Sequence, residues 1–158
     1  MRKPVNYLFV ATAALGGCAL PMGPQSRADF VQEMKAGTSI TGIDGHIAPR
    51  RFDQVVGALQ RKADECLNLK KRREEVHTAL KMVGSGRAEL TMQVAGASAP
   101  LLRKVPRGGA YVLAVDIEHV SPSMTRLTYY GPGIEAGQQD WVAIKEWSDG
   151  QAAPCPVS

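Results

Sequence analysis

The chain has 158 residues and a mass of 17.0 kDa, room for one packed domain and too little for a multidomain enzyme. With 44% hydrophobic and 22% charged residues it can bury a core, and its glycine and proline content stays below that of low-complexity chains. A net charge of +4 and a pI near 9.1 suit a protein close to anionic surfaces and are too mild to argue for nucleic acid, which is not expected as a partner.

The chain opens with Arg2 and Lys3 ahead of an apolar run that includes Leu8, Phe9 and Val10, the pattern of a secretory signal over residues 1–17. The run is shorter than the roughly 20 residues that a membrane-spanning helix needs. Next comes Leu15-Gly16-Gly17-Cys18, a leucine and two small residues before a cysteine. This quartet resembles the lipobox of bacterial lipoproteins. The resemblance implies cleavage before Cys18, a diacylglyceryl group on its sulfur and an acyl chain on its freed amine, which together hold a protein on a membrane where one chain would not. No other cofactor is expected. Ala19, standing where an aspartate would retain such a protein in the inner membrane, implies an outer-membrane anchor with the domain in the periplasm. Residues 18–26, with Pro21 and Pro24 and no periodicity, read as lipidated cysteine and tether, and 27–158 as a single domain.

Within the domain, Ser26-Arg27-Ala28-Asp29 predicts a capped helix start, with Phe30, Val31 and Met34 on one face and Gly37 at the end. Residues 38–43 are strand-prone and Asp44-Gly45 signals a turn. A stronger helix is predicted over 49–65, where Phe52, Val55, Val56, Leu59, Ala63 and Cys66 form one apolar stripe. Alternating strands follow. Leu67 and Leu69 open the first; Val76, Thr78, Leu80 and Met82 alternate along the second; Gly84-Ser85-Gly86 turns the chain with positive φ angles. Ala88, Leu90, Met92 and Val94 line the next, then Tyr111, Leu113, Val115 and Ile117, and after Ser121-Pro122-Ser123 a last strand carries Leu127 and Tyr129. A final helix over 138–148 sets Trp141, Ile144 and Lys145 on one side.

An apolar sheet face must meet an apolar helix stripe, so the expected fold is two-layer α+β, an antiparallel meander packed on one main helix with a C-terminal helix beside it. This element order resembles the helix-grip family and is similar to the small helix-grip domains of a lipoprotein in the outer-membrane barrel-assembly machine.

Apart from Cys18 the chain has two cysteines, Cys66 and Cys155, and an even remainder in an exported chain favours a disulfide. Two separate thiols remain the alternative at this point. His46, His77 and His119 stand at no ligand spacing from either cysteine, so no metal site is expected. Asp116, Glu118 and His119 would suit acid–base work, but alternation sends the two carboxylates to one face and the imidazole to the other. Those carboxylates should instead pair across strands with Lys81, Arg87 and Arg126. The run Lys70-Lys71-Arg72-Arg73 reads as an exposed edge that could also touch lipid phosphates. Leu101 and Leu102, in the glycine- and alanine-rich connection 96–109, and Trp147, expected on the outer side of its helix, complete the candidate contact surface. Phosphate-loop, serine-hydrolase and zinc-protease motifs are absent from the sequence. The expectation is an outer-membrane lipoprotein that binds an envelope protein or an apolar ligand without catalysis. The alternatives are an enzyme on envelope lipid or peptidoglycan with a site gathered from scattered residues, or a plain spacer.

Overall fold

The computed structural model describes residues 23–37, 41–68, 70–71, 74–96, 105–133 and 135–156. The signal, Cys18, Arg72, Arg73, Leu101 and Leu102 lie outside the described residues, and Lys70 and Lys71 are placed by their backbone alone. The element order is α1 (Arg27–Ala36), β1 (Thr41–Ala48), α2 (Phe52–Lys62), β2 (Lys70–Lys71), β3 (Glu74–Gly84), β4 (Arg87–Gly96), β5 (Ala110–Ser121), β6 (Met124–Pro132) and α3 (Glu135–Ser148). All pairings are antiparallel, in the spatial order β1-β6-β5-β4-β3-β2. The fold is α+β, with the meander β3 to β6 at its centre.

One face of the sheet carries the main core. Leu90, Leu113, Val115, Ile117 and Leu127 are all at most 1% exposed and meet Val55 and Leu59 of α2 and Ile144 and Trp147 of α3. α2 continues into a π-type turn, Ala63–Leu67, which buries both Cys66 and Leu67. The turn closes with the Asn68 N–H donating to the Ala63 carbonyl at 3.1 Å. The Asn68 side-chain oxygen accepts from the Thr78 N–H at 2.6 Å, so the turn covers part of the open edge of β3.

The opposite face carries α1, for which the sequence offered no partner. Phe30 and Val31 pack on Ala114 and Tyr130, with Met34 and Tyr111 beside them. Ser26 caps the helix by accepting from the Asp29 N–H at 3.1 Å, and Gly37 ends it at φ 70°, as its sequence predicts. Arg27 bridges Glu89, at 3.3 Å, and Asp116. The folded part begins earlier than expected, because Gly23 is already buried and Pro24 to Ser26 are half-buried.

Several boundaries differ from the sequence reading. Asp44-Gly45 is not a turn; β1 runs through it to Ala48, since pairing with Tyr129 and Thr128 outweighs local turn preference. Helix α2 starts at Phe52 and leaves Pro49 outside. Leu67 belongs to the π-type turn and not to a strand. In the β3–β4 turn only Gly86 takes a positive φ, 72°. Tyr111 faces α1 and Val112 faces the main core, the reverse of simple alternation, because the register shifts between Met92 and Gln93 opposite Val112.

The Cys66–Cys155 disulfide is present and ties the C-terminal tail to the end of α2 across 89 positions. Closing a loop of that length is worth about 4 to 5 kcal/mol by chain entropy. No helix among the described residues is long and apolar enough to cross a membrane.

Candidate functional site

The expected contact residues do not assemble. Lys70 and Lys71 form the short edge strand β2, in register with Glu75 and Glu74 at one margin of the sheet. Trp147 is not an exposed contact residue: it is 2% exposed and its indole N–H donates to the Ala153 carbonyl at 3.1 Å. It joins Trp141 in the main core, and the disulfide folds the tail over it, which helical periodicity alone could not show. Asp116 and Glu118 pair with cations, Asp116 with Arg27 and Glu118 with Arg87 at 3.2 Å. His119 lies opposite the buried Thr125 on the other face, as alternation required. Among the described residues no group of three or more His, Cys, Asp or Glu is placed to hold a metal.

A different set does converge, where edge strand β1, the end of β6 and the first half of α3 meet. They enclose a pocket of about 390 Å³. Even-numbered β1 residues share the helix-covered face with their β6 partners, so Asp44, opposite Tyr129, points toward α3. There the Trp141 indole N–H donates to Asp44 Oδ2 at 2.7 Å, and Lys145 Nζ stands 3.7 Å from the same oxygen. Trp141 and Lys145 are four positions apart, one helical turn, which also places the ammonium 5.4 Å over the Trp141 ring. Behind them Tyr129 stacks on Trp141 at 5.2 Å. The Tyr129 hydroxyl donates to the Pro132 carbonyl at 3.0 Å. Gly131 and Gly137 make room for it, since a Cβ at either would come within 3.0 Å or less of that hydroxyl.

These contacts fix the protonation states. The Trp141 hydrogen bond holds the Asp44 carboxyl below its ordinary value, with the Gly45 N–H and Lys145 adding to the effect against a smaller opposing cost of burial. Burial, with the nearby Asp140, pushes the Tyr129 hydroxyl up to about 12. Burial also raises Asp140. At neutral pH the pocket therefore holds an ionised carboxylate already filled by donors and a hydroxyl that keeps its proton. Neither is poised to take a proton from a substrate.

The walls are of another kind. Val142, 46% exposed, stands on its helix side, Ile43 borders it on the strand side with its side chain turned to the opposite face beside Tyr130, and the Gln138 amide, which donates to the Gly133 carbonyl at 3.1 Å, closes one end. Gln138 and Val142 also line a shallower recess between α3 and the tail, floored by Ala143, Pro154 and Cys155. The pocket thus opens onto an apolar track along α3. The sequence carried half of the signal, the Trp141 and Lys145 spacing; Asp44 was hidden because it stood in an expected turn.

A wider groove of about 850 Å³ opens at the end of the sheet formed by the β3–β4 and β5–β6 turns and the start of α2. Its charges answer one another, Arg51 with Asp53 at 3.0 Å and Arg87 with Glu118. No protein-family profile, curated protein or solved structure matches this chain.

Proposed function

We propose that the chain is an exported, lipid-anchored binding module of the bacterial outer membrane, held through Cys18, whose periplasmic domain takes an apolar ligand or a segment of an envelope protein without chemical change. The observation that carries this reading is the pocket between β1 and α3: the exposed Val142 and the apolar recess that the pocket opens onto, beside a few fixed polar groups, the usual make-up of a binding site. The lipobox-like quartet and a disulfide between the other two cysteines support export. A role in envelope assembly or maintenance follows from that address.

Two measurements test it. Intact mass of the protein taken from membranes should show loss of residues 1–17 and acyl chains at Cys18. A photo-reactive residue placed at Val142 in cells should give a discrete adduct, and Pro154→Asp, in the recess that the pocket opens onto, should abolish it. An adduct insensitive to Pro154→Asp, or turnover of an envelope lipid or glycan by the purified protein, would overturn the reading.

A further inference from the structure

We propose that β1 is a docking edge for a second copy of this chain: two β1 strands pair antiparallel about Gly45 and join two domains through one continuous sheet. The inference is independent of the lipid anchor and of the pocket.

The two edges of the sheet are finished differently. At one, β2 is two lysines long and the Asn68 side chain occupies the Thr78 N–H, devices that keep other strands away. At the other, β1 runs for 8 residues in unbroken register, with neither lysine, proline nor bulge in it.

Alternation decides which β1 groups face outward. The His119 N–H donates to the Gly86 carbonyl at 2.8 Å, so odd-numbered β5 positions bond to β4 and even-numbered ones to β6. Carried through β6, that pattern leaves Ile43, Gly45 and Ile47 with their N–H and C=O groups at the open edge. Two local facts agree. Thr41 stands opposite Pro132, which has no N–H to give, and the Gly45 N–H donates to Asp44 Oδ1 at 2.8 Å instead of to β6. Among the described residues nothing takes the outward groups of Ile43 and Ile47, and their side chains are uncovered as well, at 49% and 46% exposed.

The sequence of this edge chooses the occupant. Gly42-Ile43-Asp44-Gly45-His46-Ile47-Ala48 has the same pattern in both directions: small, isoleucine, polar, then glycine at the centre. An antiparallel copy centred on Gly45 therefore sets Ile43 against the partner's Ile47 and Asp44 against the partner's His46. The outward backbone groups of all three odd-numbered residues then find partners. Only the Gly45 N–H has to leave Asp44, whose other oxygen keeps the Trp141 indole. Centring on Asp44 or His46 sets like side chains against each other, and mixing odd with even positions sets outward groups against inward ones. Pro49 ends the ladder. The pair leaves the two protected β2 edges outermost, so assembly closes at two copies.

Sedimentation equilibrium of the purified full-length protein in density-matched detergent tests this, with circular dichroism to show that each variant is folded. The parent should show a concentration-dependent monomer–dimer equilibrium. Ile43→Lys with Ile47→Lys should weaken the dimer about tenfold or more. Gly45→Pro should do the same, since it removes an outward N–H and a Cβ there meets nothing within 4 Å. Ile43→Lys with Ile47→Glu should pair within about threefold of the parent, because each lysine then meets a glutamate of the partner. Within one chain those two positions are about 13 Å apart and cannot meet. A dimer that survives the lysine pair or Gly45→Pro, or a lysine–glutamate variant no tighter than the lysine pair, overturns the proposal. So does a parent that stays monomeric, which would leave this edge to a strand of another protein.

Discussion

The two faces of the sheet are made from the same strands and are held by different means. On one, α2 and α3 bury a continuous core from Leu59 to Ile144, and the disulfide fastens the tail over Trp147. On the other, a single helix of 10 residues rests on Ala114 and Tyr130. There the charges do much of the holding: Arg27 joins Glu89 and Asp116, and Lys35 lies 5.4 Å over the Tyr130 ring. Arg27 Nε, buried, has no hydrogen-bond partner among the described residues, a cost the main core does not carry. The contrast teaches that stability in this domain is concentrated on one side. α1 is a unit that can come loose while the rest stays folded.

The largest effect should come from the disulfide. Replacing Cys66 and Cys155 together by serine should cost about 4 to 5 kcal/mol in urea unfolding. It should also free the tail, so that the emission of Trp147 shifts to longer wavelength even in the folded protein. Leu59→Ala, at a side chain 2% exposed, should cost about 3 to 4 kcal/mol through the cavity it leaves, in one cooperative transition.

Phe30→Ala is the sharpest challenge to the contrast. It should lower helix content and hydrogen-exchange protection in α1, cost about 1 to 2 kcal/mol, and leave the emission of Trp141 and Trp147 unchanged. A global loss as large as that of Leu59→Ala would mean the two faces fold as one unit.

Smaller effects belong to the pocket. Tyr129→Phe should cost about 1 kcal/mol at neutral pH by removing the hydrogen bond to Pro132. Because the folded hydroxyl titrates near 12 against 10.0 for a free one, its contribution is complete below 10.0 and is lost as pH rises toward the folded value. Alkaline unfolding followed by tyrosinate absorbance should be correspondingly steeper in the parent than in Tyr129→Phe. Asp44→Asn should do least. The lowered carboxyl adds stability above its ordinary 3.8 that disappears as pH falls through the folded value, and the half-exposed position screens it. Acid unfolding curves of parent and variant should converge at the lowest pH.

Much of this was legible in the sequence where one residue decides the matter locally. Ser26 and Gly37 bounded α1, the stripe from Phe52 to Cys66 gave α2, and alternation gave the meander and separated His119 from Asp116 and Glu118. Parity, together with the expected export, favoured the cysteine pair over two separate thiols. What stayed hidden was decided by neighbours distant in sequence. A bulge opposite Val112 turned Tyr111 to the other face, pairing with β6 drew Asp44-Gly45 into a strand, and the tail covered Trp147. The pocket was missed for the same reason, since its carboxylate and its indole are 97 positions apart.

The disulfide has a mechanical consequence. If the protein is held at its N-terminal end and pulled from the other, tension enters the chain before Cys66 and leaves it after Cys155, bypassing everything between. β2 through α3 then act as a closed ring that cannot lengthen, and only α1, β1 and α2 can pay out as slack. An oxidised domain of this design would yield on the side nearest its N-terminal end first and keep the meander intact under load, whereas the reduced chain would unravel along its whole length.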